Sequence, residues 1–132
     1  MKNLVLIALC FLVMSLTCKK NEPRDFLPGN WGILTYKEND IDKTADFNIE
    51  FQGYKLTFDA KGNYSEFHHP FSTGEKLVTG TWTLENNNLQ LVFVDNDPNS
   101  ASKIRTFDVL GPITSTELNI KEGIKEYDLR KQ

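Results

Sequence analysis

The chain has 132 residues, a formal net charge of −3 and 39% hydrophobic residues, which is the size and composition of one folded domain. Its lysines and arginines are scattered rather than clustered, so no surface is predicted to neutralise phosphates, and a nucleic-acid partner is excluded. The two cysteines are Cys10 and Cys18, near the amino terminus. The domain that follows therefore has no disulfide, no thiolate metal site and no cysteine nucleophile.

Residues 1–17 have the layout of a secretory signal peptide. Lys2 provides a positive charge, an apolar run extends from Leu4 to Met14, and Ser15-Leu16-Thr17 stands directly before Cys18. A transmembrane helix needs about 18 or more consecutive apolar residues, and this run is shorter. A cleaved targeting segment is therefore the better interpretation.

The residues around Cys18 resemble those of bacterial lipoproteins, in which the signal peptide is cleaved before an invariant cysteine whose thiol receives diacylglycerol. The resemblance implies that Cys18 is lipidated and anchors the protein to a membrane through its acyl chains. Lys19 stands where an acidic residue would favour the inner membrane, so we expect a cell-envelope protein at the outer membrane, with its periplasmic or surface orientation left open. Residues 18–27, which include Pro23, are predicted to form a flexible linker.

From residue 28 onward, short segments alternate between apolar and polar residues. Tyr54, Leu56 and Phe58 alternate with polar residues, which predicts a half-buried strand, and Gly62 predicts a tight hairpin turn after it. The same pattern predicts six further strands, at Tyr64–Phe67, Leu77–Leu84, Leu89–Val94, Lys103–Leu110, Glu117–Lys121 and Ile124–Arg130. Regularly spaced short strands with glycine and asparagine turns predict an all-β domain over residues 28–132, either an antiparallel barrel or a sandwich.

The least regular part of the domain extends from Glu38 to Gln52. Asp40, Asp42, Asp46 and Asn48 interrupt the apolar pattern there. A loop, a short helix and an irregular strand all remain compatible with this segment. We expect the longest loop of the domain here.

Gly29 and Trp31 form a Gly-x-Trp triplet at the start of the first strand, and a second triplet ends at Trp82. Together with the succession of hairpins and Arg130 in the last strand, this resembles the lipocalins and lipocalin-like proteins. The resemblance implies a small up-and-down antiparallel barrel of about eight strands over residues 28–132. It also implies that Trp31 lies at the closed end of the barrel, with Arg130 packed across its ring as a cation–π cover.

No recognised catalytic pattern is present, since the sequence offers no nucleophile with a base, no paired carboxylates and no phosphate-binding glycine loop. We therefore expect a non-catalytic protein without a cofactor. His68 and His69 are adjacent on a predicted strand and point to opposite faces, so no metal site is expected, and both are interpreted as exposed histidines before Pro70. The stretch from Asp95 to Ser100 begins like a calcium loop but lacks its glycine and closing glutamate, so a polar hairpin loop is predicted.

The aromatic residues remain as a source of function, and most are expected to fill the core. The residues predicted to line a ligand site at the mouth opposite Trp31 are Leu56, Phe58, Trp82 and Phe93. Two hypotheses follow: the barrel binds a small apolar or amphipathic molecule at its mouth, or its filled core supports an interaction or accessory module for an envelope protein. A cavity of roughly 300 Å³ or more favours the first.

Overall fold

The structure is a computed structural model that describes residues 21–70, 74–93 and 103–132. The predicted signal peptide, Cys18 and the loop from Asp95 to Ser100 lie outside these residues. In chain order the elements are helix α1 (Pro23–Phe26), strands β1 (Gly29–Glu38) and β2 (Ile41–Asp42), helix α2 (Thr44–Glu50), and strands β3 (Phe51–Phe58), β4 (Asn63–Pro70), β5 (Lys76–Glu85), β6 (Asn88–Phe93), β7 (Lys103–Val109), β8 (Glu117–Glu122) and β9 (Lys125–Lys131). No helix within the described ranges combines the length and the apolar character needed to cross a membrane.

Eight strands form a closed antiparallel barrel. Strands β1 and β3 to β9 follow one another around the wall, and β9 pairs with β1, from Lys131 opposite Trp31 to Lys125 opposite Glu38. The two-residue strand β2 pairs only with the far end of β1. This confirms the small up-and-down barrel of about eight strands.

The alternation of side chains along each strand explains where the core lies. In β3, Leu56 and Phe58 are buried while their neighbours are not, and in β5 Trp82 is buried between two exposed threonines. Asn86 and Asn87 both adopt a positive φ in the turn between β5 and β6, a conformation that matches the twist of a two-residue hairpin. The period-two pattern and the turn chemistry therefore specify the same register.

One end of the barrel, which we call the closed end, is covered by α1. Leu27 is fully buried, and its carbonyl oxygen accepts a hydrogen bond of 2.8 Å from Nε1 of Trp31. The guanidinium carbon of Arg24 lies 5.4 Å from the ring centre of Trp82. Residues 23–27 therefore belong to the folded barrel, and the flexible linker predicted over 18–27 is too long, because its last apolar residue is part of the core.

The other end, which we call the open end, is where β1 finishes and β9 begins. Only Gly29 to Trp31 of β1 pair with β3, so the wall between these two strands parts toward the open end. Helix α2 fills this gap, and Phe47 is its only buried residue. The helix is tied to β1 by the backbone N–H of Tyr36, which donates to Oγ1 of Thr44. The irregular segment is therefore a short helix.

Candidate functional site

An interior cavity of about 210 Å³ lies at the open end of the barrel. Its wall is formed by five aromatic side chains from β1, α2, β3 and β9: Tyr36, Phe47, Phe51, Tyr54 and Tyr127. Four polar side chains from β4, β7 and β9 complete the lining: Glu66, His68, Arg105 and Lys125. The cavity thus combines an apolar wall with charged and polar groups.

Phe47 is the centre of the aromatic wall. Its ring centre lies 4.7 Å from that of Tyr36, 4.8 Å from Phe51 and 5.2 Å from Tyr54, with tilted or edge-on geometries that favour aromatic pairs. These contacts bridge β1 and β3 where the two strands no longer pair. Phe47 therefore substitutes side-chain packing for missing backbone hydrogen bonds.

Arg105 forms the polar floor of the cavity. Its Nε and Nη2 donate to the two carboxylate oxygens of Glu122 at 3.1 and 2.8 Å, and Nη1 donates to Oε2 of Glu66 at 3.0 Å. The guanidinium also lies 4.8 Å from the ring centre of Phe107. The side chain of Glu66 is only 10% exposed, so one member of this network is almost completely removed from water.

The network changes the titration of its members. Burial on its own lowers the pKa of Arg105, but the hydrogen bonds and negative charges of Glu122 and Glu66 outweigh burial and raise it. Burial raises the pKa of Tyr54, and the charge of Glu66 raises it further. Burial likewise raises the pKa of Tyr127. Near neutral pH the floor therefore holds a charged arginine beneath neutral tyrosines.

His68 and Tyr64 carry buried polar atoms without partners. Nδ1 of His68 and the hydroxyl oxygen of Tyr64 are inaccessible to solvent, and neither makes a hydrogen bond with any residue that the structure describes. Burial lowers the pKa of His68, so the imidazole is neutral near pH 7. Unpartnered buried polar atoms are rare in folded proteins and indicate a site where another group supplies the hydrogen bond.

A second cavity of about 330 Å³ adjoins the first on its outer side. Both cavities are lined by Tyr36, Phe47, Phe51 and Lys125, and the outer one also by residues of α2. Phe47 therefore lies on the boundary between the interior of the barrel and the region outside its mouth.

Three of the four residues predicted to line a ligand site do not reach this cavity. Leu56, Phe58 and Trp82 are at most 3% exposed and pack in the core near the closed end, where Trp82 contacts Phe58 edge-on and its Nε1 donates to the carbonyl of Asp59. The prediction was wrong for them because alternation gives the inward face of a strand but not the depth along the barrel. The side chain of Phe93 lies outside the described part of the structure.

The cation over Trp31 is Lys131 rather than Arg130. Lys131 Nζ lies 4.9 Å from the indole ring centre and donates a 2.8 Å hydrogen bond to the carbonyl of Phe26. The expectation that Arg130 covers the indole was wrong. Side chains alternate along β9, so Arg130 points outward, where its Nη2 lies 3.9 Å from Oε1 of Glu117. Gly29 has φ +141°, a backbone conformation that residues with a side chain rarely adopt, which explains the glycine of the triplet.

The polar side chains that line the cavity were not predicted from the sequence. His68 faces the interior and not the solvent as predicted, while His69 is exposed. Glu66 shares the inward face of β4 with Tyr64 and His68, and Arg105 shares the inward face of β7 with Phe107, so charges at core positions were the available signal. Among the residues with a described position, no cluster of three potential metal ligands is found.

Comparison with known proteins agrees with this architecture. The chain is similar to a lipocalin-like protein from Bacteroides uniformis, with 18% identity, a TM-score of 0.63, and coverage of 81% of this chain and 99% of that one. An uncharacterized protein from Bacteroides eggerthii is similar at 18% identity and a TM-score of 0.60, with coverage of 80% and 99%. No curated protein matches. The family model of the lipocalin-like domain matches residues 27–120, most of the barrel, and the chain therefore belongs to the lipocalin-like domain family.

Proposed function

We propose that this protein is a lipid-anchored, non-catalytic binding protein of the cell envelope that takes a small amphipathic molecule into the cavity at its open end. The observation that carries the proposal is the cavity itself, which joins an aromatic wall to a polar floor. Pockets for small molecules have this composition, with mostly apolar walls and a few placed polar groups that orient the ligand. Membership of the lipocalin-like family is consistent with such a role.

The size of the cavity limits the ligand. At about 210 Å³ it falls short of the roughly 300 Å³ that would favour a binding protein on size alone, so the proposal rests on the composition of the lining. An apolar cavity of about 150 Å³ is sufficient for benzene. The interior therefore fits a molecule with one ring or a short chain, and a longer ligand would extend past Phe47 into the outer cavity.

The position of α1 gives the proposed anchor a geometric consequence. Cys18 lies five residues before Pro23, the first residue of α1, a stretch that spans at most about 18 Å when fully extended. Because α1 packs against the closed end, a lipid on Cys18 would hold that end near the membrane. The ligand site would then face away from the anchoring bilayer and take its ligand from the aqueous side.

Two matched variants test the binding site. Phe51 and Leu84 are both partly buried and packed against the core, but only Phe51 lines the cavity. We expect Phe51→Ala to change the affinity for an apolar fluorescent probe about fivefold or more, and Leu84→Ala to leave it within twofold. Native mass spectrometry of the purified protein should also detect a small molecule that is released by denaturation.

Repeated absence of a copurifying molecule, together with no probe binding, would contradict the proposal and favour the interaction module. The anchor has a separate test. The mass of the mature protein should include diacylglycerol and acyl groups, and Cys18→Ser should remove both this mass increment and the association with membranes. An unmodified Cys18 in the mature wild-type protein would refute the anchor.

A further inference from the structure

The ion network at the floor of the cavity carries an excess of negative charge, and two of its three members, Glu66 and Arg105, line the cavity itself. One guanidinium, that of Arg105, is shared by two carboxylates, Glu66 and Glu122, so the three side chains together have a formal charge of −1. The side chain of Glu66 is 10% exposed and that of Glu122 31% exposed. Water therefore screens the excess charge only in part, and mainly on the side of Glu122.

Arg105 is not free to bind an anionic ligand. Three of its nitrogens already donate to the two carboxylates, and its guanidinium lies over the ring of Phe107. A carboxylate or phosphate entering the cavity would add a third negative charge around one positive charge. Such a ligand would lose its hydration without gaining a buried cation that is still unpaired, which is unfavourable in a buried site.

The remaining groups of the cavity favour a cation. The faces of aromatic rings are electronegative, and aromatic boxes bind ammonium groups that have left water. Both oxygens of Glu66 accept from Nη1 of Arg105, at 3.3 and 3.0 Å, and Tyr54 also hydrogen-bonds to this carboxylate. Because a carboxylate offers about four lone-pair positions, one acceptor position remains. The unpartnered Nδ1 of His68 is a further acceptor when the other ring nitrogen carries the hydrogen.

Lys125 is the other cation of the lining, but it lies at the rim. Its residue is exposed and lines both the inner and the outer cavity. In the sheet it lies opposite Glu122 of β8 and Glu38 of β1. Its one positive charge is therefore flanked by two carboxylates, and Arg105 and Lys125 together do not balance Glu66, Glu122 and Glu38.

We propose that the ligand of this cavity is a small organic cation, an ammonium group carried on an apolar body of about one aromatic ring, bound with the ammonium against Glu66 and the aromatic wall. The inference rests on the proposed function and narrows it to one class of ligand. It assigns Glu66 the role of charge partner and the tyrosines the role of walls.

Three water-soluble molecules of matched size test the charge preference: 2-phenylethylamine, 2-phenylethanol and phenylacetate. Their binding to the full-length protein, purified in the uncharged detergent dodecyl maltoside, can be measured by isothermal titration calorimetry at pH 7.5 against protein-free micelles. We expect the amine to bind at least tenfold more tightly than the alcohol, and phenylacetate more weakly than the alcohol. Equal affinities, or tightest binding of phenylacetate, would overturn the inference.

The variant Glu66→Gln makes the test specific. It should bring the affinity of the amine to within about threefold of that of the alcohol, while the alcohol still binds and thereby reports a folded cavity. Glu126→Gln is the control, because Glu126 pairs with Lys121 away from the cavity, and it should leave all three affinities unchanged. Wild-type selectivity that persists in Glu66→Gln would refute the role of Glu66.

Binding of the alcohol by the wild-type protein without selectivity for the amine would refute the inference of a cationic ligand and leave the proposed function intact. No binding of any of the three molecules would contradict both the inference and the proposed function.

Discussion

The two ends of the barrel are built differently. At the closed end, β1 pairs with β3 and β9 at once, Trp31 and Leu27 are fully buried, and the indole N–H has a hydrogen-bond partner. At the open end, β1 has left β3, a short helix fills the gap, and Nδ1 of His68 has no partner among the residues described. The closed end satisfies its indole N–H internally, and the open end leaves an imidazole nitrogen available.

This difference indicates how the molecule divides stability from function. Apolar burial and satisfied hydrogen bonds stabilise a fold, whereas a buried ion network contributes little net stability compared with apolar packing. Stability alone therefore does not account for a charged arginine and two carboxylates at this end of the barrel. The closed end holds the barrel together, and the open end has the composition of a binding site.

The largest expected effect is the loss of the closed-end indole. Trp31→Ala removes a fully buried side chain and should lower the free energy of unfolding by about 3–5 kcal/mol. Phe47→Ala at the open end should cost less, because its side chain borders an existing cavity and the short helix can relax onto the space. Urea denaturation followed by circular dichroism measures both. Equal losses would show that the open end contributes as much stability as the closed end.

The second effect is the cost of leaving the cavity floor unpaired. Arg105→Met leaves the buried Glu66 and the partly exposed Glu122 as neighbouring unpaired carboxylates, and it should lower the free energy of unfolding by about 3 kcal/mol at pH 7. The triple variant with Glu66→Gln and Glu122→Gln as well should recover at least half of this loss, because the charges are removed together. If the triple variant is the least stable of all, the network stabilises the fold and the division between the two ends is wrong.

A third effect separates the two basic residues at the end of β9. Lys131→Met removes the cation over Trp31 and the hydrogen bond to Phe26, and it should cost about 1 kcal/mol in urea denaturation. Arg130→Met is the matched control, since Arg130 is exposed and its ion pair with Glu117 is long, and it should change stability by less than about 0.5 kcal/mol. A larger loss of stability in Arg130→Met than in Lys131→Met would show that Arg130 is the residue that covers the indole.

The sequence predicts the closed end well because the closed end follows local rules. Alternation in β3 and β5, and turn chemistry at Gly62 and at the paired asparagines, are each readable from a few neighbouring residues. The Gly-x-Trp triplet and the succession of hairpins indicated the family, and the triplet gave the position of Trp31 at the closed end. Two errors lie there: the predicted linker included α1, and Arg130 was expected in the place of Lys131, which is an error of strand parity rather than of chemistry.

The open end was harder to predict because its site is assembled from distant parts of the chain. Glu66 and Arg105 meet only when β4 and β7 face each other across the barrel, and no local pattern gives that distance. Phe47 lies in a segment where acidic residues interrupt the apolar pattern, so the helix could not be predicted from periodicity. Glu66 and Arg105 are charged residues at inward positions of predicted strands, and they mark the cavity better than the apolar residues Leu56, Phe58 and Trp82 do.

The smallest expected effect is a pH dependence at the open end. Burial, together with the charges of Lys76 and Arg105, lowers the pKa of His68 in the folded state, and Glu66 opposes this only in part. The unfolded state, with a histidine pKa of about 6.5, therefore binds the proton first as the pH falls. The stability contributed by neutral His68 is complete above about pH 7 and is lost as the pH falls through the folded-state pKa. Urea denaturation between pH 7.5 and 5 should thus show a decline in the free energy of unfolding that is smaller in His68→Gln. The control His69→Gln, at an exposed position, should show the wild-type decline. The same decline in both variants would mean that the imidazole of His68 is not buried at the open end.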